Sequence, residues 1–220
     1  MFRLIENVLN RQQLGELGTI AKCANFVEGR ISNPHSKVKN NLQINDQAAQ
    51  QKSAQIMADA LLTNEDFINF AMPAEFAPPL LARYDPDMNY GLHPDAAIMP
   101  LGQASIRADM SCTLFLEDPD AYEGGALRIV LGTETLRIKG PAGSAIVYPS
   151  HTLHEVEKVV KGQRLVGLTF IRSQVQDSQK RELLYELGEV AALEGLKMTD
   201  ENYTRIRAVQ YNLQRMWISP

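Results

Sequence analysis

Three side chains in this sequence share one chemistry: His93, Asp95 and His154. Two imidazoles and a carboxylate in the order His-x-Asp…His can occupy one face of an octahedral Fe(II), leaving the opposite face open for substrate and oxygen. Arg164 follows ten residues after the second histidine. Its planar fork of N–H donors can hold a carboxylate bidentately beside such a metal, which a lysine cannot reproduce. The His93-Pro94-Asp95 triplet carries little weight alone, since about one chain in five of this composition would contain a His-x-Asp by chance. Its plain alternative is a polar turn, Pro and Asp both being turn formers. The plain alternative for Arg164 is a rim arginine paired with Glu155 or Glu157.

The elements around these residues decide how far they can meet. From about residue 78 to 172 the chain reads as short β runs punctuated by Gly, Pro and Asp: PPLLARYD, ADMSCTLFLED, ALRIVLG, TETLRIKG, GSAIVYPS, LHEVEKVV and RLVGLTFIRS. Strands at this spacing without intervening helices predict an antiparallel sandwich or barrel. In a pleated strand, residues i and i+2 project from one face, so His93 and Asp95 could reach one ion. Pro94 cannot donate to a ladder, which suits a strand edge or barrel mouth. Leu153 and Val156 differ in parity, which places His154 at the start of its strand. Arg164 opens an apolar strand, and a charge entering a buried strand needs a partner. His151 is expected in the preceding loop, facing solvent or second to the ligands, and His35 in a solvated loop.

Helical periodicity flanks the β region. Leu14, Leu17, Ile20 and Ala21 repeat at helical spacing after Asn10, a candidate N-cap, and a second helix is expected over about 46–62. Between them lies the polar segment GRISNPHSKVKNNLQ. Its Lys39-Asn40-Asn41 could line a site, although a solvated loop is the simpler expectation. From Gln174 helix returns, through Leu183, Leu184, Leu187 and Val190 to a last helix ending near Trp217. The expected layout is an α+β chain with a mainly β core: helical segment 1–77, β core 78–173, helical segment 174–220. Tyr203, Tyr211 and Trp217 could pack on the barrel or form a surface for a homo-oligomer.

Composition narrows the classes of function. With 220 residues, 45% hydrophobic and 22% charged, the chain is long enough for one well-cored domain. A net charge of −4 offers no large basic field, so nucleic acid is not an expected partner. Cys23 and Cys112 are far apart and form no metal or disulfide motif. MFRLIENVLNRQQLGEL has no apolar run of signal-peptide type and no long uncharged run follows, so no membrane association and a cytoplasmic location are expected.

The stretches RYDPDMNYGLHPDAA, RADMSCTLFLEDPDAYEGGALRI and PAGSAIVYPSHTLHEVEKVVKGQR closely resemble the bacterial PKHD-type hydroxylases. The likeness extends to VKNNLQ upstream and to KRELLYEL and YNLQRMW downstream. Those enzymes belong to the Fe(II)- and 2-oxoglutarate-dependent dioxygenases, alongside the prolyl 4-hydroxylases. The resemblance implies a double-stranded β-helix (jelly-roll) flanked by helices. It implies His93, Asp95 and His154 as iron ligands, Arg164 as the 2-oxoglutarate arginine and Gly124-Gly125-Ala126-Leu127 as a tight turn. It further implies O2 as co-substrate, ascorbate as a reductant, and a peptidyl proline or lysine, or a small metabolite, as substrate. Departures are Pro94, Ala96 and Phe115, the last near where animal prolyl hydroxylases place a tyrosine. Tyr84 and Tyr90 are candidates to contact the co-substrate, with Tyr84 preferred. Two competing classes remain open: a jelly-roll binding or sensing protein without turnover, and a cupin-like metal protein, which usually has further ligands absent here.

Overall fold

In the computed structural model, which describes residues 1–218, two antiparallel sheets face one another. The major sheet runs, edge to edge, through Arg3–Ile5, Ala145–Pro149, Met110–Phe115, Arg164–Ser173, Leu80–Tyr84, Leu42–Ile44 and Phe26–Glu28. Pro73–Phe76 pairs with the far end of Arg164–Ser173. The minor sheet runs through Glu134–Ile138, Leu127–Leu131, His154–Val156, Asn89–His93 and Lys39–Asn40. This is the expected jelly-roll.

Strand parity assigns each face. In Met110–Phe115, Met110, Cys112 and Leu114 join the core beneath the helices, while Phe115 joins the core between the sheets. Ala145–Pro149 behaves alike: Ala145 and Val147 face the helices, and Ile146 and Tyr148 face the barrel interior. The major sheet is therefore buried on both faces, which is why its central strands read as nearly unbroken apolar runs despite being antiparallel. In the minor sheet, buried Leu127 and Ile129 alternate with the only partly buried Arg128 and Val130, so one of its faces meets solvent.

Helices cover the outer face of the major sheet. Arg11–Cys23 starts at Asn10, whose side chain accepts from the Gln13 amide while the Gln13 side chain accepts from the Asn10 amide. Gln47–Thr63 starts at Asp46 and buries Met57 and Leu61 against the sheet. Gly167 permits that approach, because a Cβ there would lie 2.2 Å from the Met57 sulfur. Glu65–Ala71, Ser178–Glu194 and Asp200–Trp217 complete the helical layer. Each fully buried Leu or Phe in it contributes about 1.5–3 kcal/mol.

The N-terminal segment departs from the helical reading of 1–77. It supplies Arg3–Ile5, Phe26–Glu28, Leu42–Ile44 and Pro73–Phe76 to the major sheet and Lys39–Asn40 to the minor one. These strands have two to four residues each, too few to show a period of two. Two further short pairings lie outside the two sheets, Ile98–Leu101 with Ala104–Arg107 and Tyr122–Gly124 with Val159–Gly162. No helix among the described residues is long and apolar enough to cross a membrane.

Candidate active site

His93 and His154 are direct cross-strand partners in the minor sheet. His154 is the first residue of its strand, with the same parity as buried Val156, while Leu153 points outward. Between Val156↔Tyr90 and His154↔His93 the facing strand carries one extra residue, a bulge that brings Tyr90 and His93 onto one face. Their rings stack at 3.6 Å between centroids and 15° between planes.

Asp95 reaches the pair by another route than the pleat. The strand ends at His93, and Asp95 lies beyond it, its amide donating to the Ser150 carbonyl at 3.1 Å. Buried Ser111 donates to Asp95 Oδ2 at 2.6 Å and lies 2.8 Å from the Ser150 hydroxyl. The carboxylate is thus aimed by two neighbouring segments.

The three residues fit a metal. His93 Nε2 lies 3.9 Å from one Asp95 oxygen and His154 Nε2 lies 3.6 Å from the other. One donor atom from each residue lies within 4.8 Å of the others. Nitrogen and oxygen ligands stand about 2.0–2.2 Å from such an ion, so neighbouring ligands are ~3–4 Å apart and small side-chain rotations close the set. Both imidazoles use Nδ1 on a backbone carbonyl two residues upstream, His93 on Gly91 at 2.7 Å and His154 on Thr152 at 2.9 Å. With the proton on Nδ1, each Nε2 lone pair is free for the ion. Burial, and then the proximity of His154, lower the His93 pKa, favouring the neutral ligand form.

Across the barrel, Arg164 pairs in register with Tyr84, and the Leu42↔Arg83 pairing extends that rank to Asn41. Arg164 is 1% exposed, its guanidinium lies 4.9 Å from the Tyr84 ring centroid, and its Nε and Nη1 have no hydrogen-bond partner. Glu155 pairs instead with Arg128 and Glu157 with Arg137, so the rim alternative is not what folds. Gly125, at φ +62°, passes over the arginine stem, and a Cβ there would meet Arg164 Cδ at 3.2 Å and Val159 at 2.9 Å. A fully buried guanidinium with two unused donors is built to receive an anion.

Comparison with known proteins decides what class of site this is. Residues 79–172 match the model of the 2OG-Fe(II) oxygenase superfamily. A PKHD-type hydroxylase of Sphingopyxis alaskensis is 56% identical over 217 residues, covering 99% of both chains. The chain belongs to the PKHD-type hydroxylases. It is an Fe(II)- and 2-oxoglutarate-dependent oxygenase. Among solved structures, a Trichoplax adhaerens prolyl hydroxylase aligns with a TM-score of 0.60 at 15% identity, over 83% of this chain and 86% of that one. A Pseudomonas putida prolyl-4-hydroxylase aligns at 0.56 and 18% identity, over 78% and 92%. At such identities these structures speak for the fold.

Within this PKHD-type hydroxylase, residues singled out by spacing and residues missed by it lie together. His151 and His35 are exposed and apart from the cluster. Phe115 is buried between the sheets. Tyr148 was missed: it lies edge-on to His154 at 5.1 Å, and burial, then the Asp95 charge, push its phenol pKa up. The Thr113 hydroxyl, on the neighbouring strand, pulls it partly back down. The signal for Ser111, Thr113 and Tyr148 was alternation in SCTLF and AIVYP, polar residues at every second position of otherwise apolar strands. Tyr84 is 1% exposed; burial raises its pKa, while Arg164 and the Asn41 side chain beside it pull it down. Asn41 is buried, and Lys39 is half-buried with its pKa lowered by burial and partly restored by Asp95. Lys39 and Asn41 therefore face inward, while Asn40 between them is exposed.

Proposed function

We propose that His93, Asp95 and His154 hold the iron of this oxygenase and that Arg164, helped by Tyr84, anchors 2-oxoglutarate. The observation that carries this reading is the buried Arg164 guanidinium, with Nε and Nη1 unpartnered, on the sheet facing the His-Asp-His cluster. Iron bound with 2-oxoglutarate supplies the chemistry: O2, 2-oxoglutarate and a substrate C–H become succinate, CO2 and a C–OH. The protein's residues position and protect. Arg164 pairs with the distal carboxylate, Tyr84 donates its phenol proton to the same end, and the Nδ1 bonds keep both imidazoles turned inward. Ser111 fixes the carboxylate ligand, and the apolar lining of Ile129, Ile146 and Val166 keeps water from the reacting centre.

The substrate we assign is a peptidyl prolyl or lysyl residue or a small metabolite. Support for a peptide comes from the Trichoplax enzyme, solved with a peptide fragment of the hypoxia inducible factor oxygen degradation domain. We also propose a cytoplasmic location. We propose 78–173 as the catalytic β core, flanked by 174–220 and by 1–77, the latter adding short strands as well as helices. Asp95→Ala removes the sole carboxylate ligand and is expected to abolish 2-oxoglutarate-dependent succinate release. It should also abolish the weak visible band that Fe(II) and 2-oxoglutarate give together under nitrogen. Unchanged succinate release and an unchanged band in Asp95→Ala would remove the assignment.

A further inference from the structure

The segment 38–44 straps one sheet to the other. Lys39–Asn40 pairs with Asn89–Tyr90 in the minor sheet, and Leu42–Ile44 with Ala82–Arg83 in the major one. The strap is tightly held. Gly91 donates to the Val38 carbonyl at 2.9 Å, Arg30 Nε donates to the Lys39 carbonyl at 3.0 Å, and Gly29 donates to the Asn41 carbonyl at 2.7 Å. A Cβ on Gly91 would lie 3.0 Å from Val38 Cβ. Lys39 is thereby fixed opposite Tyr90, the residue stacked on His93.

The cations around the site fall into two groups. Arg83 pairs with Asp85, Arg107 with Asp109, and Arg30 with Glu28. Lys139 donates to the Pro119 and Tyr122 carbonyls. Lys39 has only the neutral Ser32 hydroxyl, at 2.8 Å, and among the described residues no carboxylate lies within 4.0 Å of its Nζ. Besides Arg164, it is the lining cation with neither a carboxylate within that distance nor a backbone carbonyl to donate to, the Asp95 charge acting on it only from farther away. Its Nζ is 5.7 Å from the Tyr90 ring centroid, and hence within about 10 Å of the His93 ring. An ammonium–carboxylate contact takes about 3 Å of that gap. What remains is at most about 6 Å, which accommodates one or two amino-acid units at ~3.3–3.6 Å per residue. A single ammonium with one hydroxyl beside it matches a monoanionic carboxylate better than a phosphate, which asks for several donors.

We infer that Lys39 selects the substrate to be hydroxylated, by pairing its ammonium with a carboxylate one or two amino-acid units from the carbon presented to the metal. This rests on the site assignment above and names the substrate class of that site: an amino-acid-sized carboxylic acid, or a peptide end or acidic side chain of the same reach. The tyrosine face beneath the ammonium and the Ser32 hydroxyl beside it orient the pair, while Arg164 is occupied by the co-substrate.

The test measures binding. The full chain is loaded with Zn(II) in place of iron and with saturating 2-oxoglutarate. Ligand-observed NMR then compares the N-acetyl amino acids with their primary amides, and N-acetyl-Asp and N-acetyl-Glu α-amides separate a side-chain carboxylate from an α-carboxylate. Acids are expected to bind roughly 10–100-fold more tightly than their amides. Lys39→Met should bring acid and amide to within about twofold, Lys39→Arg should keep the preference, and Lys39→Glu should reverse it toward amides. Parity of acids and amides in the unmutated protein, absence of any bound acid, or an unchanged preference in Lys39→Met overturns the inference. Failure to bind 2-oxoglutarate would instead overturn the site assignment, and is seen before any acid is added.

Discussion

Replacing Arg164 by methionine should stabilise the ligand-free protein and abolish its response to 2-oxoglutarate. Two guanidinium donors, Nε and Nη1, are buried without partners, and each such group costs about 1–3 kcal/mol. Methionine keeps most of the stem packing under Gly125 and gives up the contact with the Tyr84 ring, about 1–2 kcal/mol. The net expectation is a gain of about 2 kcal/mol. For a chain of this length each kcal/mol moves Tm by about 2–4 °C, so the variant should melt about 4–8 °C higher. With Fe(II) under nitrogen and 2-oxoglutarate at a hundred times its Kd, the unmutated protein gains about 2.7 kcal/mol. The variant, having lost one partner of a buried charge pair worth about 2–5 kcal/mol, should gain almost nothing. The order of melting temperatures therefore narrows to parity or inverts when co-substrate is added. Differential scanning calorimetry with and without 2-oxoglutarate reads both halves. A variant that melts lower without co-substrate, or that 2-oxoglutarate stabilises as much as the unmutated protein, would show that Arg164 is a structural cation with partners of its own.

Two further outcomes test the surroundings of the site. Ser111→Ala removes the hydroxyl that holds Asp95 Oδ2 and should weaken Mn(II) or Fe(II) affinity about 10–100-fold, measured by titration calorimetry; equal affinity would mean that the Ser150 backbone alone aims the carboxylate. Cys112 is buried and burial pushes its thiol up to about 12, so at neutral pH a thiol reagent should label only exposed Cys23 in the native protein and both cysteines after denaturation. Mass spectrometry finding Cys112 labelled at the native rate of Cys23 would contradict the closed core beneath the helices.

What could be read from the sequence was what strands declare locally. His93, His154 and Arg164 sit at strand ends bounded by turn residues, and the β runs around them are long enough to show their apolar content. What could not be read is set by register between strands distant in the chain. Asp95 lies outside any strand, and the Ser150 carbonyl that fixes it comes from 55 positions away in the sequence. Lys39 and Asn41 stand in a polar stretch whose own composition says loop. Only the pairings Lys39↔Tyr90 and Leu42↔Arg83 turn their side chains inward. The consequence is chemical. Asn41, just ahead of Leu42–Ile44, forms one rank with Tyr84 and Arg164 on the two strands beside it, and Lys39 lies on the opposite sheet beside the ring that covers His93. In the proposed assignment one unpaired cation serves each side of the His-Asp-His cluster, Arg164 on the co-substrate side and Lys39 on the other. A barrel that binds one dicarboxylate needs only the first, so the second is where the selectivity of this chain should be sought.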